Sequence, residues 1–191
     1  RRLSLFLTPH DSVIIRDGLG RWLVYDRDLR FVRLFPSIGI PGVTVHVSER
    51  NEFIFTEPVP GGRRDAAFHV TEGEGRVLLS AGKSSTAGRG SYMRPSTYDV
   101  KSGGLWIAPA KGSGVGYVLE HWGLDGTLRQ RLVRDVPWLP VTGYPDEPMA
   151  PDFKFLDVDS NGLLWVLVAV KDPDWRKRRG NTGTDASDDE Q

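Results

Sequence analysis

Apolar residues in this chain fall in short runs separated by turns rich in Gly and Asp. That is the pattern of strands joined by tight turns, with inward positions recurring every second residue. One arrangement recurs: an apolar strand, a turn, a strand carrying aromatics, a polar turn, and a strand studded with Arg. The clearest copy is Gly104–Pro109 followed by Gly116–Arg134. An earlier copy is Asp11–Arg16 followed by Arg21–Phe35, with Phe31 in the place of Leu128, Tyr25 in that of Trp122 and Asp28 in that of Asp125. Between them lies a weaker copy, Glu52–Phe55 and Phe68–Leu79, in which Gly75 matches Gly126 and Val77 matches Leu128. The marker positions Phe31, Val77 and Leu128 are thus 46 and 51 residues apart. An incomplete fourth copy starts at Asp157.

Periods of about 40–50 residues, with about four strands each, are the pattern of β-propeller blades. The strands fit. Leu163–Val170 is apolar on both faces, which predicts an inner strand sandwiched between neighbouring blades. Val43, Val45 and Val47 alternate with Thr44, His46 and Ser48, which predicts one wet face. Arg129 and Arg131 mark an outermost strand, where charge protects the edge from pairing with another chain. The expected fold is all-β: a partial β-propeller of three to four blades over residues 1–173, each blade a four-stranded antiparallel sheet. Residues 174–191 read as a polar, disordered tail. Two stretches break the pattern: Gly82–Ser96 reads as a long loop and Pro137–Pro151 as an ordered connector.

Composition narrows the class. There are 22 glycines, 13 prolines and 19 aromatics in 191 residues, and valine outnumbers alanine 19 to 9. Helical bundles and coiled coils are excluded by that balance. No cysteine is present, so disulfides and thiolate chemistry are excluded. Twenty-five basic residues balance twenty-five acidic ones. The chain therefore has no long-range field to gather nucleic acid or an anionic membrane. Its longest apolar run, Leu163–Val170, is far short of the roughly 18 residues a membrane-spanning helix needs. Arg1–Thr8 imitates a signal peptide but is interrupted at Pro9, and it reads as a strand.

The repeated register resembles the six-bladed β-propeller group related to NHL-repeat proteins. The resemblance is carried by Gly104–Trp106, Val118–Leu128, Val133–Pro140 and Asp159–Val166. It implies a bacterial envelope or secreted protein of a longer chain, with about two further blades and a signal peptide upstream of Arg1. It brings no catalytic set, so no site residue is carried over.

Several motifs bear on chemistry. Asp157-x-Asp159-x-Asn161-Gly162 matches the first half of a calcium loop, but Val168 stands where a bidentate glutamate is needed. The segment reads as a strand-connecting turn. Gly82-Lys83-Ser84 imitates the end of a phosphate-binding loop, yet Val77 occupies the required glycine position and no helix follows. Gly112–Gly116 fails the dinucleotide fingerprint at Tyr117 and reads as a hairpin tip. His10, His46, His69 and His121 share no metal spacing, and each reads as lying in a turn or on a wet strand face. Arg176–Arg179 is offset by Asp185, Asp188, Asp189 and Glu190 and reads as a solvated tail.

These readings name no catalytic, cofactor or metal residue. The expected function is a non-catalytic binding or scaffolding module for a protein, peptide or glycan, using loops 82–96 and 137–151. The rival is a metal-dependent propeller enzyme, a lactonase-like hydrolase or lyase, with ligands converging on a central channel.

Overall fold

The computed structural model describes residues 4–7, 12–16, 21–35, 45–50, 52–56, 59–72, 75–83, 94–108, 116–136 and 152–170. Among these there are fourteen strands and no helix. The chain is all-β, as its turn-rich pattern requires. The tail 174–191, the connector 137–151, His10, most of loop 82–96 and Gly112–Val115 lie outside the described residues.

The strands form consecutive antiparallel meanders. The first sheet holds β1 (Ser4–Leu7), β2 (Val13–Arg16), β3 (Trp22–Tyr25) and β4 (Phe31–Phe35). The second holds β5 (Val45–Val47), β6 (Phe53–Phe55), β7 (Phe68–Thr71) and β8 (Val77–Ala81). The third holds β9 (Ser96–Asp99), β10 (Gly104–Ile107), β11 (Tyr117–Gly123) and β12 (Leu128–Arg134). The fourth pairs β13 (Asp152–Val158) with β14 (Leu164–Ala169). In each four-stranded sheet neighbours in space are neighbours in sequence.

The sequence register survives in the hydrogen bonding. Each complete sheet has a bulge at one equivalent place: Val24/Tyr25 in the first, Val70/Thr71 in the second and His121/Trp122 in the third. After it Tyr25 pairs with Phe31, Thr71 with Val77 and Trp122 with Leu128. The second unit looks weak in sequence because Thr71 replaces an aromatic there. Arg129 and Arg131 lie on β12, at the edge of the third sheet, as expected. The pattern reads β1 and β5 as strands; what it missed is β9, which begins at the end of the expected loop 82–96.

Packing runs from sheet to sheet. Ile14, Trp22 and Val24 of the first sheet meet Val47, Phe53 and Phe55 of the second. Ile54, Phe68 and Val70, on the opposite face of the second, meet Leu105, Ile107 and Trp122 of the third. Trp106, Tyr117 and Leu119, on the opposite face of the third, meet Phe153 and Leu156 of the fourth. Adjacent residues of one strand thus enter different cores, which explains runs such as Phe53-Ile54-Phe55 that are apolar on both faces. Burying one such side chain contributes roughly 1.5–3 kcal/mol.

Two expectations are corrected. The His46/Ser48 face is not wet, because the third sheet covers it: Ser48 is buried and His46 bonds Ser96 across the joint at 3.0 Å. β14 is not sandwiched. Leu164, Val166 and Val168 pack on the third sheet, while Trp165 and Leu167 are exposed.

The turns joining the third and fourth strands share one geometry. Leu29, Gly75 and Gly126 take the same position, with φ of 60°, 89° and 88°, and each donates its amide three residues back. Leucine carries a Cβ into this left-handed region, which costs roughly 1–2 kcal/mol. Leu29 is exposed, so its side chain offers little in return. Leu29→Gly is therefore expected to raise stability by about 1 kcal/mol, less the added chain entropy of glycine. A urea titration reads this as a higher midpoint at unchanged slope.

Candidate functional site

A cleft of about 400 Å³ opens between the second and third sheets, at the end where the β5–β6, β9–β10 and β11–β12 turns gather. Ser48, Glu49, Arg50 and Glu52 line one wall. Tyr98, Gly103, Leu124, Asp125 and Arg129 line the other. The long connections expected to carry binding, 82–96 and 137–151, lie mostly outside the described residues.

Each turn is fixed by its own side chain. Ser48 Oγ accepts from the Arg50 and Glu52 amides, both at 3.2 Å, and donates to Glu52 Oε2 at 3.0 Å. Asp99 Oδ1 accepts from Lys101 N and Ser102 N. Asp125 Oδ1 accepts from Thr127 N at 3.0 Å and from Thr127 Oγ1 at 2.7 Å, which holds its carboxyl below the usual range. These short-range bonds are the ordinary way Ser and Asp replace ladder bonds in turns. Here they make a rim that is already shaped, so little ordering entropy is lost on binding.

The floor is more apolar. Tyr98 packs against the core between the two sheets. Burial raises its phenol above the usual value, opposed by a hydrogen bond from the Glu49 backbone and reinforced by Glu49, Glu52 and Asp99. Tyr98 therefore stays a neutral donor at physiological pH. Arg129 donates from Nη1 to the Ser102 carbonyl at 2.6 Å, which ties the third-sheet wall to its own turn. Carboxylates, guanidinium groups and one phenol face the same space, so the cleft offers donors and acceptors of both signs.

Below the rim, His121 stacks on Trp106 at 4.5 Å and 8°. Its Nε2 lies 3.1 Å from Ser102 Oγ. Burial lowers its pKa, Arg129 pushes the same way and Asp99 opposes. A Cβ on Gly104 would lie 2.3 Å from that Nε2, so the ring needs a glycine beside it. His69 repeats the arrangement in the second sheet. It is 1% exposed, its Nδ1 lies 2.9 Å from Ser80 Oγ, and a Cβ on Gly62 would lie 2.6 Å from that Nδ1. The described histidines are thus enclosed, each with a serine, and do not sit on wet faces as their spacing suggested. They do not converge either. Among the described residues there is no group of three or more His, Asp or Glu placed to hold a metal ion.

The other motifs resolve locally. Asp159 Oδ1 accepts from Asn161 N and Leu163 N, and its Oδ2 accepts from Trp165 Nε1. Asp157 Oδ1 accepts from its neighbour Val158 N. Both carboxylates serve the β13–β14 turn. Gly82 ends β8 with φ of 69°, and a Cβ there would lie 2.5 Å from Ala67, so this glycine answers to packing. Sequence reasoning missed Arg94, which is 7% exposed and donates to the Ala67 carbonyl at 3.0 Å. It also missed the cleft itself, because its walls come from two sheets about 50 residues apart in the chain. Among the described residues no helix is long and apolar enough to cross a membrane. No family model matches the chain, and no curated protein matches its sequence.

His46 and His69 are both held near a pKa of about 4. Burial is the larger cause in each; Arg63 and Arg94 add to it at His69, while Ser96 partly offsets it at His46. The folded state therefore resists protons that the unfolded chain takes up near pH 6.5. Stability is full above that value, falls as pH drops towards 4, and loses nothing further from these groups below it. The loss between pH 7.5 and 5 is expected to be about 2 kcal/mol per histidine. His69→Gln should remove its own share of the slope in this window and leave those of His46 and His121, as read by urea unfolding at each pH. The lowered carboxyls Glu72, Asp125 and Asp159 act only below their ordinary range, so they leave the window clear.

Proposed function

We propose that the chain is a non-catalytic binding module whose stacked sheets are blades of a partial β-propeller. Three observations support the architecture. Consecutive meander sheets pack face to face through alternate residues of the same strands. The bulge and left-handed turn recur at one position in each complete sheet. The first strands of neighbouring sheets, β5 with β9 and β9 with β13, approach one another. That is the arrangement of strands nearest a common axis.

The observation that carries the binding reading is the cleft between Ser48–Glu52 and Tyr98–Arg129. It is concave, its rim is fixed by turn hydrogen bonds, and it presents Arg50 and Arg129 beside Glu49, Glu52 and Asp125. Mixed charge of this kind suits a neutral, hydroxyl- or amide-rich ligand better than a polyanion. A glycan or an extended peptide has that chemistry. By the sequence resemblance, such a ligand is met at the bacterial envelope or outside the cell.

Glycan and peptide arrays probed with the purified chain test this reading. Binding should concentrate on one ligand class. Arg129→Ala and Arg50→Ala should each weaken it about tenfold or more, the cost of one charge-assisted hydrogen bond. Silent arrays, or turnover of lactones, esters or glycans at ordinary enzyme rates, would count against it.

A further inference from the structure

Among the described residues, the first and fourth sheets each have one face that no other sheet covers. Most of the exposed large apolar side chains among the described residues lie on the first and fourth sheets. On the fourth, Phe155 pairs with Leu167 in register, so the two share a face with Trp165, and all three are more than half exposed. On the first, Leu23 pairs with Leu34 and Tyr25 with Phe31, on the face opposite the Trp22 and Val24 core. Leu34 is 48% exposed and Phe31 57%. Contiguous apolar patches of this kind mark interaction surfaces.

The repeat itself says what covers such a face. β14 aligns with β10: Leu164 and Val166 take the places of Leu105 and Ile107, which pack on the preceding sheet. Trp165 then takes the place of Trp106, which the following sheet buries through Phe153 and Leu156. Trp165, Leu167 and Phe155 are therefore the forward half of a joint already made three times inside the chain. Tyr25 stands where Trp122 forms the backward half in the third sheet, with Val13 and Ile15 in the places of Leu105 and Ile107; Leu23 and Leu34 flank it, in the places of Glu120 and Arg131.

We propose that the fourth sheet of one copy of this chain packs on the first sheet of a second copy, head to tail. Two copies bring eight sheets, within the roughly four to eight that closed rings of this architecture use. A head-to-tail contact either closes into a ring or grows without limit. Closure at two copies rests on the propeller reading; the joint between copies does not.

Sedimentation velocity of the chain from low to high micromolar concentration tests the proposal. A dimer of defined size is expected. Leu167→Glu and Leu34→Glu, both at exposed positions, should each weaken self-association at least tenfold while leaving the far-UV circular dichroism of the folded chain unchanged. An equimolar mixture of the two variants should regain dimers, because one joint in the mixed pair is intact. A concentration-dependent ladder of larger species, halted by either variant, supports the joint and overturns closure into a ring. A chain that stays monomeric throughout overturns the joint, as expected if a further sheet of a longer polypeptide covers these faces. Dimers that survive Leu34→Glu but not Leu167→Glu also overturn it, because they show two fourth sheets pairing with each other.

Discussion

The structure depends on the contact between one sheet and the next. A single antiparallel meander of short strands exposes two apolar faces and is marginal alone. Ile54 and Phe68 on one side of the second sheet, and Phe53 and Phe55 on the other, require a partner on both faces. That requirement sets the composition. Core strands such as β6 and β10 are apolar on both faces, many polar residues are pushed into turns and onto edge strands, and glycine is needed where a ring or backbone comes close. The enclosed histidines follow from the same demand. A polar ring lying inside a joint must be neutral and hydrogen-bonded, and Ser80, Ser96 and Ser102 meet that need.

The cleft is a by-product of this stacking. Two sheets that pack through their middles leave a gap where their turns splay apart. Ser48, Asp99 and Asp125 fix the local turns, and Tyr98 and Leu124 close the floor. Arg50, Glu49 and Arg129 can then stand on a rim that needs no support from each other. Such a surface can change its side chains freely while the joint beneath holds its shape.

Much of the fold was legible in the sequence, because its markers are local. Phe31, Val77 and Leu128 recur 46 and 51 residues apart since each follows the same bulge and turn. β9 was hidden for the opposite reason. It is four residues long, it carries Ser96 and Thr97, and Ser96 finds its partner in His46 of the neighbouring sheet. The site was legible in its residue types but not in its assembly. The Asp and Ser turns could be read one by one, yet nothing local placed Ser48–Glu52 opposite Arg129. The burial of His69 and His121 had a faint local trace in Gly62 and Gly104, whose missing side chains leave room for the rings.

The order of the sheets has a consequence for cooperativity. Every core described here joins a sheet to its immediate neighbour in sequence, so the molecule is a line of units coupled in nearest-neighbour fashion. Among the described residues, the second and third sheets have partners on both faces, whereas the first and fourth have one. Amide protection should therefore grade along the chain, greatest in β6, β7, β10 and β11 and least in β2 and β14. A line of this kind also grows simply: a unit duplicated between two others meets on each face the surface it already fits, so the gene can lengthen without redesigning a core.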